Sequence, residues 1–143
     1  MTPTPDTSTG PRDHQIARAM LESDAASAAL GIELLDLKHG YAKTCMTVSS
    51  SMVNGHGITH GGYVFLVADT TFALACNSYD HAAVAARADI RYLRPTHLGD
   101  VLVATAYERA RFGRNGLYDV TVTVEDEIIA EFRGDSRTIS PTS

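Results

Sequence analysis

Apolar and polar positions follow two regimes that meet near His81. Upstream, apolar residues come in helical blocks separated by short extended runs. Downstream, they recur every second residue. Asp13–Leu30 is rich in Ala, Met and Leu and predicts a first helix ending near Gly31. Ile32–Leu37 predicts a short strand, Lys38-His39-Gly40 a turn, and Tyr41–Ser49 a second strand with alternating faces. A glycine-rich polar loop, Asn54–Gly62, then enters the longest apolar stretch of the chain. Gly61–Asn77 predicts a helix that is apolar all round and therefore buried on most sides.

Beyond His81 four strands are expected. They are Val84–Leu93, Val101–Arg111, Leu117–Val124 and Ile128–Ile139. Arg94–Asp100 connects the first two, and Gly113–Gly116 and Glu125–Glu127 are turns. Val101, Val103, Thr105 and Tyr107 share one strand face, and Tyr118, Val120, Val122 and Val124 another. Strands joined by tight turns imply an antiparallel sheet. One apolar helix laid against such a sheet is an α+β layer architecture. No internal repeat or linker divides the chain, and its 143 residues suit one domain.

The apolar helix contains one acid, Asp69, among Phe65, Leu66, Val67, Phe72 and Leu74. Both helix propensity and desolvation disfavour a carboxylate there. It is either a polar residue that reaches solvent or an arginine, or an acid kept for chemistry. Gly61 and Gly62 stand where the loop enters the helix. They are ordinary loop glycines, or they leave room for a ligand to approach bare backbone N–H groups at a helix N-terminus. Together the acid and an oxyanion-binding loop point to chemistry on a carbonyl.

Spacing adds a constraint. Gly61 and Asp69 are eight residues apart, ~12 Å along one helix axis. Reacting atoms must approach to ~3–3.5 Å. If both groups act on one carbonyl, Asp69 must come from a second copy, across a two-fold interface.

The remaining candidates each have two readings. His60 is a hydrogen-bonder that fixes the loop, or an acid–base. His56 and His60 are spaced like metal ligands on a helix, but Gly57, the loop setting and the lack of a third ligand argue against a metal. Asn54 is a turn residue, or it orients a water. Thr70 projects about 100° from Asp69 and bonds either in a partner's site or to the preceding turn.

Composition narrows the classes. The net charge of −5 disfavours nucleic-acid and anionic-membrane binding. Yet Arg87, Arg91, Arg94, Arg109, Arg111 and Arg114, half of the twelve basic residues, face only Asp89, Asp100 and Glu108 in the same stretch. They are solvated strand faces, or they hold a phosphate-rich ligand. Cys45 and Cys76 lack CxxC spacing and are expected as buried free thiols. Met1–Gly10 is Thr/Pro/Ser-rich without an apolar h-region. It is expected as part of a disordered tail over residues 1–12, ahead of a domain over 13–143, in a cytoplasmic protein.

The run Asn54-Gly-His-Gly-Ile-Thr-His60-Gly61-Gly62, with Asp69 nine positions after His60, resembles the signature of hotdog-fold acyl-CoA thioesterases, most closely the PaaI-type branch of phenylacetate metabolism. Asp89-Ile-Arg-Tyr-Leu-Arg-Pro95 and Gly99-Asp100 extend the likeness, which covers roughly Gly31–Ile139. The resemblance implies a sheet wrapped around the Gly61–Asn77 helix, a homodimer and often a dimer of dimers. It implies hydrolysis of an acyl-CoA, aryl-acetyl or medium-chain, with no cofactor because coenzyme A belongs to the substrate. Asp69 would be nucleophile or general base and the Gly61 N–H the oxyanion donor, with Asn54, His60 and Thr70 assisting. Gly62 would border the thioester, and Arg94, Arg109, Arg111 and Arg114 would be available for the coenzyme phosphates. One departure is that Ala85 and Ala86 stand where some relatives carry a Ser or Thr. A hotdog hydratase or dehydratase would share the helix acid and loop histidine. A non-catalytic acyl-CoA sensor would have no use for Asp69.

Overall fold

The computed structural model describes residues 14–139. The expected tail over residues 1–12 lies outside them. Two short helices, α1 (Gln15–Glu22) and α2 (Ala25–Ala29), precede strands β1 (Glu33–Lys38) and β2 (Tyr41–Thr47). A 3-10 turn (Ser50–Met52) and the loop lead into α3 (Gly61–Cys76). Four strands follow: β3 (Ala83–Tyr92), β4 (Val101–Phe112), β5 (Asn115–Val124) and β6 (Glu127–Thr138). They form one six-stranded antiparallel sheet in the order β1-β2-β4-β5-β6-β3, wrapped on one face around α3. This is the α+β hotdog fold, and every expected strand is present. No helix of the described residues is long and apolar enough to cross a membrane.

The single first helix expected over Asp13–Leu30 is instead two. Asp24 leaves helical geometry and caps α2, its carboxylate accepting from the Ser27 N–H at 2.9 Å and the Ser27 hydroxyl at 2.7 Å. A capping carboxylate competes with continued helix, and helix propensity alone does not register that.

Along β4 it is Leu102, Ala104 and Ala106 that are buried, so the Val101–Tyr107 set forms the outer face. Tyr118, Val120 and Val122 of β5 point inward against α3. Cys76 is buried, and its thiol is pushed up to about 12 by desolvation. Cys45 is not buried as expected. It lies half-exposed on the outer face of β2, because Ala42, Thr44 and Met46 take the inward positions.

The helix packs tightly on the sheet at Gly134 of β6. A Cβ built there would lie 2.8–2.9 Å from ring atoms of Phe72, which is 1% exposed and packs against Tyr118 and Phe132. Thr71 adds a polar tie. Its hydroxyl donates to the Val67 carbonyl at 2.6 Å and lies 2.7 Å from the Thr44 hydroxyl. At the C-terminal end Asn77 donates to the Ala73 and Ala83 carbonyls and accepts from the Ala83 N–H, joining α3 to the start of β3.

Gly134→Ala forces Phe72 out of its place and should cost about 1–3 kcal/mol. Denaturant unfolding measures it. A midpoint unchanged from wild type would show that the contact does not limit how closely helix and sheet approach.

Candidate functional site

The N-terminus of α3 borders a cleft of about 450 Å³ lined by residues of the loop, the end of β3 and the connection after it. The loop is rigidly held. Asn54 Oδ1 accepts from the His56 N–H at 2.8 Å and the Ile58 N–H at 3.3 Å, a side-chain turn. The His60 N–H donates to the Met52 carbonyl at 2.7 Å. The Thr59 N–H donates to the Thr96 carbonyl at 2.8 Å, and the Thr96 hydroxyl donates to that of Thr59 at 2.6 Å. The His60 imidazole then caps the helix, with Nδ1 accepting from the Gly62 N–H at 2.9 Å. This is the loop-fixing role among those the sequence allowed.

Capping by His60 changes the part open to Gly62. Its N–H is used within the chain. The N–H of Gly61 has no hydrogen-bond partner among the described residues, and Gly61 lines the cleft. An unpaired N–H at the positive end of a four-turn helix suits a developing oxyanion. A Cβ at Gly61 would stand 3.0–3.3 Å from the Tyr92 side chain, so anything larger than glycine must push Tyr92 aside.

Asp69 is not in this cleft. It sits two turns along the same unbroken helix, half-buried, with no hydrogen bond or ion pair among the described residues. Desolvation, and then the nearby Asp24 carboxylate, raise its pKa above the usual carboxylate value. Around it Gly62, Leu66 and Ala73 complete a partly exposed stripe at helical spacing, while the opposite side of the helix is buried. Thr70 turns away from that stripe. Its hydroxyl lies 2.9 Å from the Ser27 hydroxyl in α2, a third possibility beyond the two the sequence offered.

The arginines expected together are dispersed. Arg94 lines the cleft and is ion-paired to Glu127 at 3.1 Å. Arg109 faces Asp119 at 3.6 Å on the outer side of the sheet. Arg111 lies over the Tyr79 ring at 4.3 Å, beside His81. Arg114 donates to the Thr138 carbonyl. A bulge at Arg109 explains the split, since the β4–β5 register shifts between Glu108 and Ala110 and breaks the alternation of faces.

Two contributors escaped the sequence reading. Asp24, on a different helix, is paired with Asp69 only by folding. Tyr92, within the Asp89–Pro95 run, donates its hydroxyl to the Gly61 carbonyl at 3.0 Å and walls the cleft.

Residues 56–130, more than half of the chain, match the family model of the thioesterase superfamily. The acyl-coenzyme A thioesterase PaaI of Escherichia coli strain K12 is 46% identical over 129 residues, covering 90% of this chain and 92% of that protein. The solved structure of the E. coli PaaI protein from the phenylacetic acid degradation operon superposes with a TM-score of 0.86 at 45% identity, covering 90% of this chain and 94% of that one. A mutant of the phenylacetic acid degradation protein PaaI from Thermus thermophilus superposes with a TM-score of 0.79 at 34% identity, covering 81% and 100%. With a helix-capping His60, an unpaired Gly61 N–H and an unpaired mid-helix Asp69 in a hotdog frame, the chain belongs to the thioesterase superfamily.

Proposed function

We propose that this chain is a PaaI-type acyl-CoA thioesterase, acting in the cytoplasm as a homodimer with two active sites shared between subunits. The observation that carries the reading is the pairing of an unpartnered N–H at Gly61 with an unpartnered, desolvated carboxylate at Asp69. The N–H at a helix start favours an anion, and the desolvated carboxylate is costly unless a reaction uses it. The likeness to the E. coli acyl-coenzyme A thioesterase supports the same activity.

In this reading the thioester carbonyl oxygen points at the Gly61 N–H of one subunit. Asp69 of the partner subunit activates a water, or attacks the carbonyl carbon itself. The negative charge of the tetrahedral intermediate is met by the N–H and the helix N-terminus. The intermediate then collapses with expulsion of the coenzyme A thiolate. Thiols ionise near pH ~8.5, so this leaving group needs no strong general acid. That fits a His60 whose Nδ1 is committed to capping.

Two features support the dimer. The ten-residue edge strand β3 exposes Val84, Ala85 and Ala86 beside an unpaired ladder edge, which native proteins normally cover. The Gly62–Leu66–Asp69–Ala73 stripe of α3 is likewise left half-open. A second copy paired along β3 would cover the first and bring Asp69 towards the opposite cleft. A further pairing of dimers into a tetramer belongs to the same reading. The unpaired thiols Cys45 and Cys76 fit a reducing compartment.

The apolar cleft walls, Ile58, Val64, Leu93 and Ile129, suit an aryl-acetyl or medium-chain acyl group. Asn54 lines the cleft, and its amide nitrogen has no partner among the described residues, free to orient a water. Thr70 would assist only by steadying α3 through Ser27. Of the four arginines, Arg94 alone borders the cleft and is the first choice for the coenzyme. Arg109, Arg111 and Arg114 are engaged elsewhere on their own chain.

Asp69→Asn keeps volume and removes the carboxylate. Steady-state hydrolysis of phenylacetyl-CoA and octanoyl-CoA should show kcat reduced at least about a hundredfold with KM little changed. The wild-type pH–kcat profile should fall on the acid side through a pKa above the ordinary carboxylate range, because protonation silences the raised Asp69. A near wild-type rate in the variant removes Asp69 from the mechanism. Water addition to an enoyl-CoA without thioester cleavage would instead mark a hydratase.

Arg94→Ala should raise KM for acyl-CoA about 3–10-fold and spare kcat, with KM also rising with salt. An unchanged KM would place the coenzyme away from this cleft.

A further inference from the structure

A peptide plane has two polar handles, its carbonyl oxygen and the N–H of the next residue. In the plane joining Gly61 to Gly62, side chains hold both. The Tyr92 hydroxyl donates to the Gly61 carbonyl at 3.0 Å, and the Gly62 N–H donates to His60 Nδ1 at 2.9 Å. The neighbouring N–H, that of Gly61, is the one left without a partner among the described residues.

That arrangement answers a physical problem. Two consecutive glycines have more backbone freedom than any other pair, and the first turn of a helix lacks intrahelical partners for its N–H groups. The plane that carries the Gly61 N–H is held on its other side by the Tyr63 N–H, which donates to the His60 carbonyl at 3.0 Å. With the next plane free, Gly61 would still turn about its own backbone bonds and carry that N–H off its line. An oxyanion donor works only if it is already aimed when charge develops.

We propose that Tyr92 is a positioning residue for this donor: with His60 it pins the Gly61–Gly62 peptide plane and so aims the Gly61 N–H into the cleft. The proposal rests on the thioesterase reading and deepens it. Tyr92 ends an edge strand and is 54% exposed, so burial alone gives it little reason to lie where it does. The hydroxyl end of its ring nonetheless lies against Gly61, within 3.0–3.3 Å of where a Cβ would stand. Partial burial raises the phenol above its ordinary value, so the hydroxyl keeps its proton and remains a donor. The ring blocks drift of the helix start towards β3, and the hydroxyl fixes rotation of the plane.

Tyr92→Phe tests this because it keeps the ring and removes only the hydroxyl. The expected result is kcat on acyl-CoA lowered about 3–10-fold, one net hydrogen bond's worth, with KM within about twofold. Amide hydrogen exchange by NMR provides a readout independent of turnover. Exchange at Gly62, whose N–H is bonded to His60 Nδ1, should quicken about 3–10-fold in the variant while the core strands keep their protection. Unchanged exchange overturns the pinning whatever the assay shows. Faster exchange with unchanged kcat overturns the positioning role. Raised KM with kcat spared overturns it too, by making Tyr92 a plain substrate contact. If the wild type hydrolyses no acyl-CoA, the thioesterase reading fails, and the exchange comparison still decides the pinning.

Discussion

One unbroken apolar helix, seated on the inner face of a six-stranded sheet, fixes the rest of this molecule. Its burial against Tyr118, Phe132 and Gly134 holds it as a rigid rod. A rod sets distances. Gly61 and Asp69 are eight residues apart on it, ~12 Å along the axis, and no side-chain rotation closes that gap. In the proposed reading, the oxyanion donor Gly61 and the acid Asp69 of one chain therefore cannot serve the same carbonyl. On that reading, the packing that stabilises the monomer also makes it catalytically incomplete.

The same helix sets the electrostatics. Its N-terminus carries partial positive charge where backbone N–H groups end, and His60 consumes the Gly62 N–H while leaving that of Gly61 open. Two turns on, Asp69 meets the opposite condition. Apolar neighbours and the Asp24 carboxylate both disfavour its charge. In the proposed reading that makes Asp69 a stronger base, because a carboxylate whose charge is poorly solvated holds a proton more readily than one in water. It also weakens the fold, because its raised pKa means that stability falls as pH climbs from the unfolded carboxylate value through the folded one.

How much of this the sequence disclosed depends on how local each signal is. The α3 helix, its burial and the positions of Gly61 and Asp69 were legible because they lie in one continuous apolar run. The strands were legible from period two. The break at Asp24 was hidden by Ala-rich flanks, although Asp is a favoured N-cap residue. The arginine cluster misled because closeness along a hairpin is not closeness in space, and a single bulge at Arg109 sends neighbours to opposite faces. Tyr92 and Asp24 act on Gly61 and Asp69 across 31 and 45 positions of chain, and no local pattern encodes those meetings.

The central claim is that each active site takes its oxyanion donor from one subunit and its acid from the other. Mixed dimers of two inactive variants, Asp69→Asn and a Gly61 substitution that folds but does not turn over, test it most directly. Each mixed dimer has one site with both defects and one with none. Acyl-CoA hydrolysis should return towards one working site per mixed dimer, although neither parent turns over. Mixed dimers confirmed by native mass spectrometry that stay inactive would contradict the account, because a site contained in one chain leaves every site defective.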